Sequence, residues 1–338
     1  MNKTALQEWL ALSDEDKKGI FQETADQLLL SEEAVEKDWW VVPTLALIFQ
    51  MECASSLIFK GGTSLSKGWN LIQRFSEDID LVLDRNFLGF EGDLSKSEIR
   101  RVRKKSFQFL TTTFTEQLTA RFIENGFNNV SVKFREVDNQ DQDPIIIEIY
   151  YPLLFASKDA YINPGILVEV GCRSLKEPFS LRTFGTLVSE IFSGKPYTDK
   201  VITIPVVNPE RTFLEKIFLL HEEFQKQPEK IRTDRLSRHL YDIEKLMHTK
   251  YAEIALTDVD LYNTIVNHRS RYTAIGGIDY TKHNPGNIRF IPPVELLAKW
   301  EADYEVMRST MLYGEILSFQ EVVERLKLLQ SRINSIIR

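Results

Sequence analysis

Two aspartates separated by a single residue are the first feature of this sequence that could do chemistry. Asp78 and Asp80 lie in the segment EDIDLVLD, where acidic residues alternate with apolar ones. This period of two predicts a strand on which both carboxylates share one face, while Ile79 and Leu81 point toward a core. Two carboxylates held together repel each other unless a cation lies between them, and Mg²⁺ prefers hard oxygen ligands. The pair therefore predicts a site for Mg²⁺, or for Mn²⁺ on the same ligands, although a solvent-exposed strand end can carry the same pattern.

A glycine-rich turn precedes the acidic strand. Gly61 and Gly62 follow a short apolar strand and precede a helix-like segment with three hydroxyl residues, Thr63, Ser64 and Ser66. Glycine lets the backbone approach a ligand closely, and a helix N-terminus offers free N–H groups to phosphate. An isolated GGTS is more often a tight turn that caps a helix. Followed by the two acids, it predicts a cradle for the triphosphate of a nucleotide beside a metal site.

Hydrophobic periodicity predicts the elements that hold these residues. One helix is predicted for residues 4–30, with Ser13 as an N-cap inside it. A second is predicted for residues 31–50, which Pro43 would kink or divide. A long amphipathic helix is predicted for residues 95–126. These helices lie before and after the glycine turn and the acidic strand.

Strand candidates are concentrated between about residues 57 and 207, and the pattern is mainly helical afterwards. Beyond the two strands described above, they are residues 129–137, 144–154, 165–174 and 201–207. Such segregation of strands and helices predicts an α+β fold with a C-terminal helical region. We predict two domains, residues 1–207 and 208–338, divided at the loop signal Asn208-Pro209. The helix that follows this loop could equally pack on the sheet.

Bulk composition excludes several classes of protein. The chain has 338 residues and a net charge of −7, which argues against a protein that coats nucleic acid non-specifically but allows a local basic patch for RNA. No apolar run approaches the roughly 20 residues of a membrane span, and no signal-peptide core is present, so we expect a cytoplasmic protein. Two cysteines, Cys53 and Cys172, are too few for a disulfide framework. The five histidines form no recognisable metal or catalytic motif.

The run GGTSLSKGWNLIQRFSEDIDL resembles the signature of the DNA-polymerase-β-like nucleotidyltransferase superfamily. More specifically, it is similar to the AbiEii/AbiGii nucleotidyltransferase toxin family of bacterial abortive-infection and toxin–antitoxin systems. Three further segments resemble blocks of that family, so the resemblance covers most of the chain; they are VEKDWWVVPTLALIF, NPERTFLEKIFLLHEE with RLSRHLYDIEKL, and WEADYEVMRSTMLYGEILSFQEVVERLKLLQSRIN. The resemblance implies a polymerase-β-like core, a mixed sheet flanked by helices, with the C-terminal domain contributing to the active-site cleft.

The resemblance also implies roles for residues far from the first motif. A third acid on a neighbouring strand often completes the metal site, and Glu169 is the better candidate, with Glu148 as its rival. Lys216 matches the lysine of the second block, where it would contact phosphate oxygens as a point charge. Asp242 matches the last acid and would orient Lys216 or contact the nucleotide. The alternative for Asp242 is a helix-surface acid paired with Lys245 or Arg238.

Supporting and substrate-binding roles are less specific in the sequence. Arg74 and Ser76, just before the acidic strand, are predicted to assist NTP binding, although Arg74 could simply brace the loop. Two basic clusters could contact an RNA acceptor or be ordinary solvated helix faces; they are Arg100 to Lys105, and Lys230 with Arg232, Arg235 and Arg238.

The resemblance implies a Mg²⁺-dependent toxin that transfers a nucleotide from an NTP to an RNA, with the 3′ end of tRNA as the leading acceptor, and thereby blocks translation. A cognate antitoxin from a neighbouring gene is expected as a partner. Two alternatives stay open: an enzyme that modifies a protein or a small molecule such as an antibiotic, and an inactive nucleotide-binding module.

Overall fold

The computed structural model describes residues 3–155, 165–172, 178–198 and 201–336. Its centre is a seven-stranded sheet with the strand order β3-β4-β5-β2-β1-β7-β6. The strands are β1 Leu57–Lys60, β2 Ile79–Leu83, β3 Ser131–Phe134, β4 Ile145–Tyr150, β5 Ile166–Gly171, β6 Phe179–Phe184 and β7 Ile202–Val207. Because β2 pairs antiparallel with β1 and parallel with β5, the sheet is mixed, which confirms the predicted α+β fold.

Interatomic contacts divide the chain into two units. The first contains residues 1–69 and 75–207, and the second contains residues 70–74 and 208–338. The predicted domains differ from these units in placing residues 70–74, which join the glycine turn to the acidic strand, with the first part of the chain.

The first unit contains the sheet and the helices around it. These helices are α1 Lys3–Ala11, α2 Asp14–Leu28, α3 Glu32–Ile48, α4 Gly61–Thr63, α5 Lys96–Phe109, α6 Thr115–Glu124 and α7 Leu187–Ile191. Ser13 and Ser95 begin α2 and α5 with reciprocal capping boxes, in which the serine hydroxyl accepts from the third residue's N–H and that residue's carboxylate accepts from the serine N–H.

The predicted helices of this unit differ from the observed ones in three places. The helix predicted for residues 4–30 is two helices, because Ser13 caps a new start rather than continuing the first. Pro43 lies inside α3, which runs unbroken from Glu32 to Ile48. The helix predicted for residues 95–126 contains a π turn over Leu110–Phe114 between α5 and α6.

The strands were predicted with one omission. β6 escaped prediction because two of the three apolar residues of FSLRTF, Phe179 and Leu181, are exposed, and only Phe184 is buried. Among the described strands it pairs with β7 alone, at the edge of the sheet, so its sequence carries no clear alternation. The strand predicted for residues 165–174 is observed as β5, and its last two positions, 173 and 174, lie outside the described residues.

The second unit is helical. Its helices are α8 Pro209–Glu223, α9 Ser237–Met247, α10 Lys250–Thr257, α11 Val259–His268, α12 Leu297–Thr310 and α13 Phe319–Asn334. Its core includes the fully buried side chains of Phe218, Leu240, Trp300, Tyr304 and Leu326. This confirms the predicted C-terminal helical region. Across the described residues of both units, no helix is long and apolar enough to cross a membrane.

Candidate active site

The acidic residues of two neighbouring strands meet on one face of the sheet. Asp80 on β2 lies opposite Lys60 on the antiparallel strand β1 and beside Glu169 on the parallel strand β5. Directly paired residues of neighbouring strands place their side chains on the same face. The sheet therefore brings a lysine and two half-buried carboxylates into one row. Lys60 was not singled out in the sequence, because its role depends on a strand pairing that the sequence alone does not display.

Asp80 sits directly against the glycine turn. Gly61 has a φ of +80°, and a Cβ built on it would lie 1.8 Å from Oδ2 of Asp80. Any side chain at this position would collide with the carboxylate, and a positive φ is costly for other residues. Within the described part of the chain, Asp80 makes no hydrogen bond or salt bridge. The carboxylate of Asp80 thus lies against the bare backbone of Gly61 with no bonding partner among the residues that the structure describes.

Asp78 lies one residue before β2, rather than on the strand as predicted. Its carbonyl oxygen is 2.5 Å from Oγ1 of Thr63, which is 3.0 Å from Oγ of Ser76. A carbonyl can only accept, so the Thr63 hydroxyl donates to Asp78, and Oγ of Ser76 lies within hydrogen-bond distance of the same hydroxyl. This local bonding takes the place of a strand ladder at Asp78. Thr63 and Ser76, both predicted to bind NTP, here tie the glycine turn to the start of the acidic strand.

The remaining hydroxyls of the turn bond to its own backbone. α4 continues into a π turn over Ser64–Gly68. Ser64 donates to the carbonyl of Gly61 at 2.9 Å, and Ser66 donates to the carbonyl of Thr63 at 3.1 Å. Ser64 is fully buried, whereas Gly61, Gly62 and Ser66 keep accessible surface. The surface available to a phosphate therefore comes from the two glycines and Ser66.

Two buried ion pairs brace this turn from α3. Lys67, at the end of the π turn, is 2.5 Å from Asp38, and Glu77, just before Asp78, is 2.7 Å from Lys37. All four side chains are at least nine-tenths buried. A buried ion pair adds little net stability, because the cost of desolvating both charges offsets their attraction. We infer that these two pairs mainly hold the glycine turn and the start of the acidic strand in position. Sequence reasoning missed these residues; the available signal was the charged triplet Glu36-Lys37-Asp38 inside an otherwise apolar helix.

The residues around Asp80 fit a divalent cation only in part. Among the described residues, no group of three or more His, Cys, Asp or Glu side chains is arranged to hold a metal ion. Mg²⁺ usually takes one or two carboxylates and completes its coordination with water and substrate phosphates. The carboxylate of Asp80, beside Glu169 and against Gly61, fits that partial set. Glu148, the rival third acid, is instead bound to Arg135 at 2.7 Å and to the Tyr150 hydroxyl at 2.8 Å.

The second unit contains a buried cluster around Asp242. This carboxylate is 0% exposed and accepts two hydrogen bonds from Arg74, from Nε to Oδ1 and from Nη2 to Oδ2, both at 3.0 Å. Lys216 on α8 contacts the same carboxylate, with Nζ 2.8 Å from Oδ2. The interpretation of Asp242 as a helix-surface acid is therefore wrong. The two nitrogens of Arg74 that bond Asp242 brace the cluster, and a phosphate contact by Arg74 stays a prediction.

His239 completes this cluster and was not predicted. It lies one helical turn before Asp242 on α9, and its Nδ1 is 3.4 Å from Nζ of Lys216. A lysine ammonium has three N–H donors. Asp242 and His239 account for two of them, which leaves one for another ligand. The signal that could have identified His239 is its spacing of three residues from Asp242 on a helix.

Burial and charge set the protonation states of the cluster. Burial raises the pKa of Asp242, but Arg74 and Lys216 more than offset this and hold it well below its usual range. Burial lowers the pKa of Lys216, and the charge of Asp242 opposes that effect. Burial, together with the cations of Lys216 and Arg238, lowers the pKa of His239 well below its ordinary value. His239 is therefore neutral at pH 7 and can accept a hydrogen bond from the Lys216 ammonium.

The predicted site residues thus form two groups. One group is Asp78, Asp80, Glu169 and the glycine turn in the first unit, and the other is Arg74, Lys216 and Asp242 in the second. That they converge on one nucleotide stays a prediction. Of the basic clusters, Arg100 is exposed on α5 and paired with Asp141 at 2.9 Å, and Arg232 is paired with Glu223 at 2.8 Å. Their contact with RNA also stays a prediction.

A family model described as "Nucleotidyl transferase AbiEii toxin, Type IV TA system" matches residues 46–325. The structure is similar to MenT4, a nucleotidyltransferase toxin from Mycobacterium tuberculosis, with a TM-score of 0.52 and 16% identity over 94% of this chain and 90% of that chain. JHP933 from Helicobacter pylori matches with a TM-score of 0.42 and 15% identity over 90% and 93% of the two chains. No curated protein sequence matches.

Proposed function

Since the chain belongs to the AbiEii family of nucleotidyltransferase toxins from type IV toxin–antitoxin systems, we propose that it transfers a nucleotide from an NTP to an RNA in a Mg²⁺-dependent reaction. The family resemblance inferred from the sequence is confirmed. Membership of this family implies an NTP as substrate and an antitoxin as partner. We propose in addition the acceptor, the metal and the roles of individual residues.

The observation that carries the proposal is the position of Asp80. Its carboxylate makes no bond to the described residues, lies beside Glu169 and rests against Gly61. An anionic group without a partner, held against a bare backbone, is suited to a bound cation rather than to stabilising the fold. Asp78 and Asp80 would hold Mg²⁺, which would supply positive charge to neutralise the negative charge that develops during transfer.

The protein's own contribution would be positioning and electrostatics. The glycine turn and Ser66 would bind triphosphate oxygens through N–H and hydroxyl groups. Lys216, held by Asp242 and His239, would direct its remaining N–H to a phosphate oxygen. The acceptor hydroxyl would attack the α-phosphorus in line, a new phosphodiester bond would form, and pyrophosphate would leave.

We propose the 3′ end of tRNA as the acceptor, so that an added nucleotide prevents aminoacylation and blocks translation. A free 3′ hydroxyl is the group that this reaction consumes, and the two basic clusters are candidate contacts for an RNA backbone. The NTP and tRNA substrates place the reaction in the cytoplasm. The cognate antitoxin would be the product of a neighbouring gene.

Labelling of whole-cell fractions tests this proposal. The protein is incubated with each of the four NTPs, labelled at the α-phosphate, together with separate RNA, protein and small-molecule fractions. Label is expected in the tRNA fraction with the wild-type protein and not with Asp80→Ala. Label in protein or in small molecules would replace the RNA acceptor with another substrate. No label anywhere, together with no rise in melting temperature on adding Mg²⁺ and NTP, would favour an inactive nucleotide-binding module.

A further inference from the structure

The helical unit contains a pocket that the proposed reaction does not use. It has a volume of about 320 Å³ and is lined by His221, Phe224, Gln225, Lys282, Asn287 and Arg289. The first three of these residues come from the C-terminal end of α8 and the residues that follow it, and the other three come from the segment before α12. A volume of this size is at the lower end of small-molecule sites.

Two buried polar atoms of residues that line this pocket have no hydrogen-bond partner among the described residues. They are Nε2 of His221 and Nε2 of Gln225, both shielded from bulk solvent. The rest of His221 is 3% exposed. Buried polar groups without partners are uncommon in folded proteins, and each calls for an explanation such as a ligand or ordered water.

Both of these atoms are hydrogen-bond donors. The backbone N–H of Arg289 donates to Nδ1 of His221 at 3.1 Å, so in neutral His221 the proton is on Nε2. Burial, together with the neighbouring His283, lowers the pKa of His221 to about 4, which keeps the ring neutral at pH 7. The Gln225 Oε1 accepts from the backbone N–H of Asp279 at 3.1 Å, which identifies Nε2 as the amide nitrogen. Two buried N–H groups therefore have no acceptor at hydrogen-bond geometry among the described residues, although the His221 ring also lies near the backbone of Lys282.

The charges around the pocket favour an anion. Arg289 is exposed and makes no salt bridge within the described residues, and Lys282 is only loosely paired with Asp279 at 3.8 Å. The buried acid Glu222, which follows His221 on α8, is already paired with Arg269 and lies within hydrogen-bond distance of the His283 ring. The C-terminal end of α8 contributes about half a negative charge, which two cations exceed. Among the described residues, no carboxylate side chain lines the pocket.

From these observations we propose that the pocket binds a phosphate group. The buried N–H groups of His221 and Gln225 donate to its oxygens, Arg289 and Lys282 neutralise its charge, and the exposed amide of Asn287 lies at the rim. The phosphate belongs either to a free anion, such as inorganic phosphate or a nucleotide, or to the backbone of an RNA. Only the RNA source rests on the proposed function. The pocket itself is lined by residues of the helical unit and does not include Asp78, Asp80 or the glycine turn.

Isothermal titration of the full-length protein with sodium phosphate, without divalent cations, tests this proposal. Saturable binding is expected, and Arg289→Gln and Gln225→Glu are each expected to weaken it by roughly tenfold or more. Gln225→Glu keeps the side-chain shape and the acceptor for Asp279, but it removes the donor and adds a negative charge. Lys299→Gln is the matched control, because it removes one exposed positive charge of the same unit outside the pocket.

The outcomes separate this pocket from the active site. Phosphate binding that is lost in Arg289→Gln and Gln225→Glu but kept in Lys299→Gln and in Asp80→Ala supports the proposal, even where NTP labelling fails. Competition by a short RNA oligonucleotide would identify the RNA backbone as the source, and competition by AMP alone would identify a free nucleotide. Absence of phosphate binding to the wild-type protein, or equal binding by the wild-type and both pocket variants, would overturn it.

Discussion

The two groups of site residues use an aspartate in opposite ways. In the first unit, Asp80 makes no bond to the described residues and has a second acid, Glu169, as its strand neighbour. In the second unit, Asp242 is fully buried and is bonded to Arg74 and Lys216. The first arrangement leaves negative charge available to a ligand, and the second neutralises it within the fold. The same residue type is therefore expected to serve function at one position and structure at the other.

The largest expected effect is that of Asp242→Asn. The change leaves the charges of Arg74 and Lys216 buried without their counter-ion, so the free energy of unfolding should fall by about 3–5 kcal/mol. Transfer activity should fall as well, because Lys216 loses the group that orients it. Urea denaturation measures the first effect and NTP labelling the second. The matched control is Glu253→Gln at the exposed pair with Arg332, with an expected cost below about 1 kcal/mol. An equal loss of unfolding free energy in Asp242→Asn and Glu253→Gln would contradict the structural role of Asp242.

Asp80→Asn is expected to lower the transfer activity without lowering the stability of the fold. Loss of a metal ligand should lower the rate of nucleotide transfer by about a thousandfold, the equivalent of roughly 4 kcal/mol. The melting temperature should stay unchanged or rise, because one of two neighbouring like charges disappears. The comparison of the two regions fails if Asp80→Asn unfolds the protein as readily as Asp242→Asn.

A smaller effect should separate Glu169 from Glu148. Glu169→Gln changes the acid beside Asp80 and should lower the transfer rate by roughly tenfold to a hundredfold, because it removes charge that favours the bound cation. Glu148→Gln changes a strand acid of the same sheet that is bonded to Arg135, so its transfer rate should stay near wild type. Steady-state rates at several Mg²⁺ concentrations provide the measurement. A greater loss in Glu148→Gln would reassign the third acid.

The smallest expected effect is a pH dependence that belongs to the buried cluster. His239 has a folded-state pKa well below that of the unfolded chain, so below about pH 6.5 the unfolded state binds protons that the folded state does not. Stability should therefore fall as the pH drops below 6.5, by about 1 kcal/mol over the first pH unit. His221, with a pKa of about 4, adds a similar loss.

Two variants check the origin of this acid sensitivity. Melting temperatures between pH 7 and pH 5 should fall less steeply for His239→Gln than for the wild type, whereas Asp80→Asn should follow the wild-type slope. The contribution of Asp242 is also lost as the pH falls, but in a lower window, since its lowered pKa keeps its stabilisation intact until the pH falls below about 4. A His239→Gln slope equal to that of the wild type would show that His239 does not contribute to the acid sensitivity.

The two regions also differ in how well the sequence predicts them. The face around Asp80 depends on local patterns: a strand of period two, a glycine turn and their order along the chain. The cluster around Asp242 depends on partners 23 and 168 residues apart, His239 with Lys216 and Arg74 with Asp242. Periodicity does not reveal such pairs. The family resemblance supplied Lys216 and Asp242, but neither His239 nor the bonds of Arg74.

The same distinction explains the other omissions. β6 buries only one apolar side chain, that of Phe184, so its sequence carries a weak strand signal. The ion pairs of Lys37 and Asp38 lie in a helix whose surroundings are apolar, and their partners Glu77 and Lys67 are distant in sequence. Mixed strand pairing also placed Lys60 beside Asp80 without any local sequence signal. Local chemistry was therefore predictable, and long-range compensation of charge was not.

The most direct test of the proposed nucleotide transfer follows the α-phosphate and the γ-phosphate of the NTP separately. Purified tRNA is incubated with the protein, Mg²⁺ and an NTP labelled at either the α- or the γ-phosphate. We predict that α-label enters the RNA, that γ-label is released as pyrophosphate, and that Asp80→Asn slows both by about a thousandfold. Transfer of γ-label to the RNA, or α-labelling by Asp80→Asn at a rate near that of the wild type, would contradict the proposed mechanism.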